Sequence, residues 1–90
     1  MDPIASRVAR RFVALKYEPK ESKQSKVDRL MRVLREETGL SRGVATDLAD
    51  AFVRGRDVPG LALQKGWPIE DGTIVGPQGT LDLSRLKSML

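Results

Sequence analysis

Charged side chains on one short helical stretch, residues 41–54, are the first candidates for chemistry in this chain. At 3.6 residues per turn, the side of this stretch away from its apolar residues carries Arg42, Thr46, Asp47 and Asp50. Arginine and threonine side chains suit base edges or phosphates. The two carboxylates oppose phosphate binding, because each adds repulsion in a strongly negative field. This face therefore suits either DNA, through its arginine and threonine, or a basic protein partner, through its carboxylates.

A second group of candidates is basic and lies near the start of the chain. Residues 1–35 hold ten Lys and Arg against four Asp and Glu, whereas residues 36–90 hold six against eight. Such asymmetry is typical of a surface that meets nucleic acid or another acidic partner. A solvated basic face that serves only solubility gives the same pattern, and both interpretations stay open. The side chains that could line one phosphate-binding surface without reading bases are Arg7, Arg10, Arg11, Lys20, Lys23 and Lys26.

The residue types that are missing exclude several kinds of chemistry. The chain has no Cys and no His, which excludes disulfides, Cys/His zinc sites and catalysis by either side chain. Asp47 and Asp50 offer too few oxygen ligands for a hard cation. Gly76 to Gly79 is not followed by the Gly-Lys-Ser/Thr of a phosphate loop, so it is interpreted as a turn. We therefore predict a binding protein that is not an enzyme and has no cofactor and no metal.

The elements that must position these residues follow from apolar periodicity and from capping residues. Ninety residues make a single small domain, 1–90. We predict a mainly α (α+β) bundle of three helices with a C-terminal β-hairpin and a possible short last helix from Ser84. The predicted helices cover about residues 3–16, 25–38 and 41–55, and the hairpin covers about 73–83. The segment between helix three and the hairpin contains one or two helical turns near Leu61–Gly66 and stays without a firm assignment.

Helix boundaries are predicted from individual residues. Ser25 is the expected N-cap of the second helix, and Asp28 stands at the spacing of a capping box. Arg32 is expected to form i,i+4 ion pairs with Asp28 and with Glu36. Gly39 suits the left-handed residue that ends a helix, and Leu40 would pack back on it. Ser41 then caps the third helix.

The corner between helices two and three resembles the helix-turn-helix of bacterial repressors, with a winged-helix outline. Leu34, Gly39, Leu40, Val44 and Leu48 supply its turn glycine and its packing positions, and Gly39-Leu40-Ser41-Arg42 matches its "G-L-S" opening. The chain departs from the pattern at Arg35, where the family usually has Ala, and at Ala45, where it usually has Val or Ile. The resemblance covers about 20 residues and implies DNA binding with the third helix as the recognition helix.

Two further observations bear on the alternative function, a protein-interaction module such as a small phage structural or host-binding protein. The run IASRVARRF (residues 4–12) is similar to the beginnings of small phage proteins without an assigned function. Trp67 is either the apolar anchor for a protein partner or a cap on the small core.

The expected location is cytoplasmic, because the absence of Cys fits a reducing compartment, with the virion as the alternative. No apolar stretch approaches the roughly 20 residues that span a bilayer, so no membrane partner is expected.

Overall fold

The computed structural model describes residues 3–14 and 21–90 of the chain. Lys20, one of the predicted phosphate ligands, lies outside the described residues. Five helices and a small antiparallel sheet make up the described part, which is mainly helical as predicted. In chain order they are α1 (Ile4–Ala14), α2 (Lys23–Thr38), α3 (Arg42–Val53), α4 (Val58–Lys65), β1 (Ile69–Glu70), β2 (Thr73–Gly76), β3 (Gly79–Asp82) and α5 (Leu83–Met89).

Helix α2 is the longest element, and the rest of the bundle is arranged around it. Helices α1 and α3 both pack on α2, and α5 and β3 also pack on α1. Helix α2 buries four apolar side chains that recur at helical spacing, namely Val27, Leu30, Val33 and Leu34. The core combines side chains from every layer, among them the fully buried Val8, Leu30, Leu34, Leu48, Ile74, Leu81 and Leu86.

The corner between α2 and α3 has the predicted geometry. Gly39 ends α2 with a left-handed φ of 73°, and its N–H donates to the Arg35 carbonyl. Leu40 is buried, and the Ser41 side chain accepts a hydrogen bond from the Val44 N–H as the N-cap of α3. Thr38 is buried beside them, and its hydroxyl donates to the Leu34 carbonyl and accepts from the Leu40 N–H. The corner is therefore fixed by its own hydrogen bonds.

The turn between β2 and β3 packs against this corner. The Gln78 N–H donates to the Thr38 carbonyl at 3.0 Å. Gly76 lies so close to the same carbonyl that a Cβ there would overlap its oxygen. The Gln78 side chain lies over Gly39, where an added Cβ would be 3.1 Å from its Cγ. These contacts hold the hairpin tip on the helices. A two-stranded hairpin without such packing is only marginally stable in water.

Several boundaries differ from the predictions. Helix α2 begins a turn earlier than expected, because Ser22 and not Ser25 is its N-cap; the Ser22 side chain accepts from the Ser25 N–H. Helix α5 begins at Leu83 and not at Ser84, with Asp82 as its N-cap. The predicted hairpin gains a third strand, β1, through a turn in which Asp71 and Gly72 both have positive φ. Residues 58–65, left without a firm assignment, form α4.

Candidate functional site

Ion pairs join α1 to the C-terminal end of α2. The guanidinium of Arg7 binds Glu37 at 2.9 Å, and that of Arg11 binds both Glu37, at 3.3 Å, and Glu36. Burial opposes ionisation of Glu37, but the hydrogen bonds from the two arginines outweigh it and lower the pKa of Glu37. Arg7 and Arg11, two of the arginines predicted to bind phosphates, thus have carboxylate partners within the chain.

The predicted basic surface is divided between the two ends of α2. Arg7 and Arg11 contact its C-terminal end, whereas Lys23 and Lys26 lie in its first turn. Ten helical residues separate Lys26 from Glu36, which corresponds to about 15 Å along the axis. Arg10 is exposed on α1. The structure therefore does not bring these side chains together on one surface.

The predicted recognition face of α3 is also neutralised in part. The carboxylate of Asp47 is 3.3 Å from the Lys65 ammonium of α4. Asp50 accepts from Arg54 at 2.6 Å and pairs with Arg56 at 3.4 Å. Because each carboxylate has a cation of its own chain, the repulsion that the sequence predicted between this face and DNA is reduced. Arg42 is exposed at the start of α3, and Thr46 is half-buried one turn later.

Arginines gather instead in an open cleft beside the corner. This arginine cleft has a volume of ≈ 590 Å³ and lies between the end of α2, the start of α3 and the hairpin tip. Its cationic walls are Arg32, Arg35 and Arg42, its floor includes Gly39 and Leu40, and Gln78 closes one side. All three arginines and Gln78 are exposed to solvent. The cleft therefore presents three guanidinium groups and one side-chain amide to whatever enters it.

The arginines of this cleft have no acidic partner among the residues that the structure describes. The expected ion pairs of Arg32 with Asp28 and Glu36 do not form, since Asp28 accepts from Gln24 and Glu36 is held by Arg11 of α1. Within residues 3–14 and 21–90, none of the three arginine side chains of the cleft makes an ion pair or a hydrogen bond. Glu36 is the one carboxylate among the lining residues. Uncompensated cations in a concave site focus a positive potential there and attract anions.

The start of α3 adds to this potential. Arg42 and Gly43 occupy its first turn, where backbone N–H groups point out of the helix and the helix dipole is positive. An added Cβ at Gly43 would meet no atom within 4 Å, so the backbone there is open to solvent. A phosphate that binds the guanidinium of Arg42 can therefore also approach this helix end.

Sequence analysis missed three residues of the cleft: Arg32, Arg35 and Gln78. Arg32 and Arg35 are spaced i,i+3 and so share one face of α2. That spacing was available in the sequence, but Arg32 was assigned to ion pairs within the helix. No spacing in the sequence indicates that Gln78 lines the cleft, because its position depends on how the hairpin packs on the helices. Of the predicted nucleic-acid ligands that the structure describes, only Arg42 lines the cleft.

Trp67 belongs to the core. The residue is 7% exposed, and its backbone N–H donates to the Ala62 carbonyl just after α4 ends. This is the core-packing alternative of the two that the sequence left open, so Trp67 offers little surface to a partner.

Among the described residues, no group of three or more Asp and Glu side chains is placed to hold a metal ion. No helix in the described part of the chain is long and apolar enough to cross a membrane.

Comparison of the chain with family models, with curated proteins and with solved structures gives no match. Function must therefore be inferred from the chemistry of the surfaces described above.

Proposed function

We propose that the protein is a non-enzymatic DNA-binding module that holds backbone phosphates of duplex DNA in the arginine cleft. One observation carries this proposal: Arg32, Arg35 and Arg42 meet in a single cleft and have no acidic partner in the described part of the chain. Guanidinium groups donate paired hydrogen bonds in a planar fork that matches phosphate oxygens. Such contacts position a protein on a duplex without reading its sequence.

The surroundings of the cleft support the same proposal. The cleft opens at the start of α3, where the half-buried Thr46 follows the exposed Arg42 by one helical turn. With the carboxylates of Asp47 and Asp50 held by cations of the chain, this helix can come near a phosphate wall with less repulsion. Gln78 at the hairpin tip adds an amide that can donate to a phosphate or to a base edge.

A salt titration of binding to a random-sequence duplex tests the proposal. If each cleft arginine neutralises one phosphate, log K falls against log salt with a slope of about −2.7. Arg42→Ala should reduce the slope to about −1.8 and weaken binding to all sequences alike. Arg85→Ala is the matched control, because Arg85 is an exposed arginine on α5 without an ion pair among the described residues. We expect this control to bind like wild type.

Two results would contradict the proposal. No detectable binding at low salt would remove DNA as a partner altogether. Binding that survives replacement of all three cleft arginines by alanine, but is lost in Arg10→Ala, would place the DNA on α1 instead. Urea unfolding of each variant separates loss of binding from loss of folding, because these side chains are exposed and their removal should change stability little.

A further inference from the structure

A second cleft lies at the opposite end of α2 and has a different character. This lysine-rimmed groove has a volume of ≈ 320 Å³ and runs between α1, the start of α2, the end of α3 and the last residues of the chain. Its floor is apolar and consists of Phe12, Leu30, Phe52 and Val53. Leu30 is fully buried, whereas the other three are half-buried and present part of their surface to the groove.

Three lysines stand around this floor: Lys23, Lys26 and Lys87. None of them makes an ion pair or a side-chain hydrogen bond with the described part of the chain. Arg29, the fourth cation of the lining, is already engaged. It binds Glu21 at 2.7 Å, donates to the Phe12 carbonyl and lies over the Phe12 ring, 4.1 Å from its centroid. Arg29 therefore forms a fixed wall. Arg29 and, to a smaller extent, Lys26 lower the pKa of Glu21, so Lys26 already has a carboxylate nearby. Lys23 and Lys87 have no such carboxylate among the described residues.

The groove also concentrates exposed apolar surface. Val13 is 54% exposed and Leu90 is 45% exposed, and both line it. Large apolar side chains that stand together at a concave site indicate a surface that is covered by a partner. Leu63, which is 88% exposed on α4, lies outside this groove and provides a comparison on the same molecule.

The chemistry of the groove favours one class of occupant. A nucleic-acid backbone could pair with the lysines, but it would leave the apolar floor against water. A peptide segment with apolar residues on one face and carboxylates beside them satisfies both parts of the site. Its apolar side chains remove the floor from water at about 25 cal/mol per Å², and its carboxylates meet the lysines at the rim. Amphipathic helices bind to grooves in other proteins in this manner.

We propose that the lysine-rimmed groove is a docking site for an acidic amphipathic peptide segment of a partner protein. Apolar side chains of that segment enter between Phe12 and Phe52, and its Asp or Glu residues pair with the three rim lysines. This assignment does not depend on DNA binding by the arginine cleft, since the two sites share no lining residue. It gives the protein a second surface, for protein recognition.

Titration calorimetry with two synthetic peptides tests this assignment. The first is a helix-forming peptide of about 14 residues with leucines at i, i+3, i+4 and i+7 and glutamates beside them, and the second has lysines in place of the glutamates. The full-length protein should bind the acidic peptide saturably and the basic peptide not measurably. Lys87→Glu should weaken binding of the acidic peptide by about tenfold or more, because it replaces an attractive pair with a repulsive one. Arg85→Glu makes the same charge change two residues away on α5 and should leave binding within about twofold.

The apolar part of the site has its own matched pair of variants. Val13→Glu places a charge at the edge of the groove and should weaken the complex about as strongly as Lys87→Glu. Leu63→Glu makes the same kind of change outside the groove and should have no effect on binding. Both wild-type residues are more than half exposed, so neither variant should prevent folding.

Other occupants would give distinct results, each of which overturns the assignment. Equal binding of the acidic and basic peptides, or binding that Lys87→Glu leaves unchanged, would exclude recognition of carboxylates at the rim. A dimer in sedimentation equilibrium that Val13→Glu dissociates would assign the groove to a second copy of the chain. Peptide binding that appears only after residues 15–20 are replaced by Gly and Ser would assign the groove to that segment of the chain itself.

Discussion

Gly39 carries more structural consequence than any other single residue of the corner. Its φ of 73° is a conformation that β-branched residues rarely adopt, and the Gln78 side chain covers it. Gly39→Val should therefore lower the free energy of unfolding by about 1–2 kcal/mol. Urea unfolding measures the change. Gly43→Ala is the control, because Gly43 is helical and open to solvent, so alanine there should be neutral or slightly stabilising. A valine variant as stable as wild type would contradict the left-handed helix end.

The local sequence predicts the end of α2 at Gly39 correctly but predicts the wrong N-cap at the start of the same helix. Gly39 and Ser41 were identified because a turn glycine and a cap follow directly after a long apolar stripe. Ser22 was missed for the opposite reason. The first turn of α2 is exposed and polar, so no apolar periodicity marks it, and the sequence predicts the helix start at Ser25 instead. Capping residues are thus predictable where burial begins at the helix end, and ambiguous where the first turn is solvated.

At the scale of elements, the ion pairs between α1 and α2 make stability depend on pH. The folded protein lowers the pKa of Glu37 through Arg7 and Arg11. This contribution is fully present above the unfolded-state pKa of about 4.3 and is lost as the pH falls through the lower folded-state value. Glu37→Gln should cost roughly 1 kcal/mol at neutral pH and flatten the acid side of the stability curve. Glu70→Gln, at an exposed strand position, should do neither.

Measurement of urea unfolding between about pH 3 and 7 would show the difference, because that interval includes the titration of an unfolded glutamate. Parallel curves for wild type and Glu37→Gln would mean that Glu37 has no lowered pKa in the folded protein, and superimposed curves would mean that its ion pairs contribute nothing to stability. The same pairs explain why the candidate site was harder to predict than the fold. Apolar stripes give the helices, but Glu36 stands at i,i+4 to Arg32 and yet binds Arg11. This ion pair depends on how α1 packs against α2, which the sequence does not show. For the same reason the sequence does not show that the cleft arginines have no acidic partner among the described residues.

At the scale of the whole molecule, the two clefts should act independently. Between nine and twelve helical residues separate Arg35 from Lys26 and Lys23, which is about 14–18 Å along α2. The Debye length at physiological ionic strength is about 8 Å, so charges in one cleft are largely screened from ligands in the other. Labelled duplex DNA should therefore bind with an affinity changed by less than about twofold when the acidic peptide is saturating. Anisotropy at physiological salt measures this. Direct competition would show that both ligands use one surface.

The contact between the hairpin tip and the corner also determines the order in which the molecule can be completed. Thr38 and Gln78 are joined by a backbone hydrogen bond although α3, α4, β1 and β2 lie between them in the chain. Closing so long a loop costs entropy before the contact stabilises anything, so this bond belongs among the late steps of folding. During synthesis, α2 and α3 can pair as soon as both have emerged, but one side of the arginine cleft is missing until Gln78 arrives. A nascent chain that is released before the hairpin has been synthesised would have the cleft arginines but not the wall that Gln78 provides.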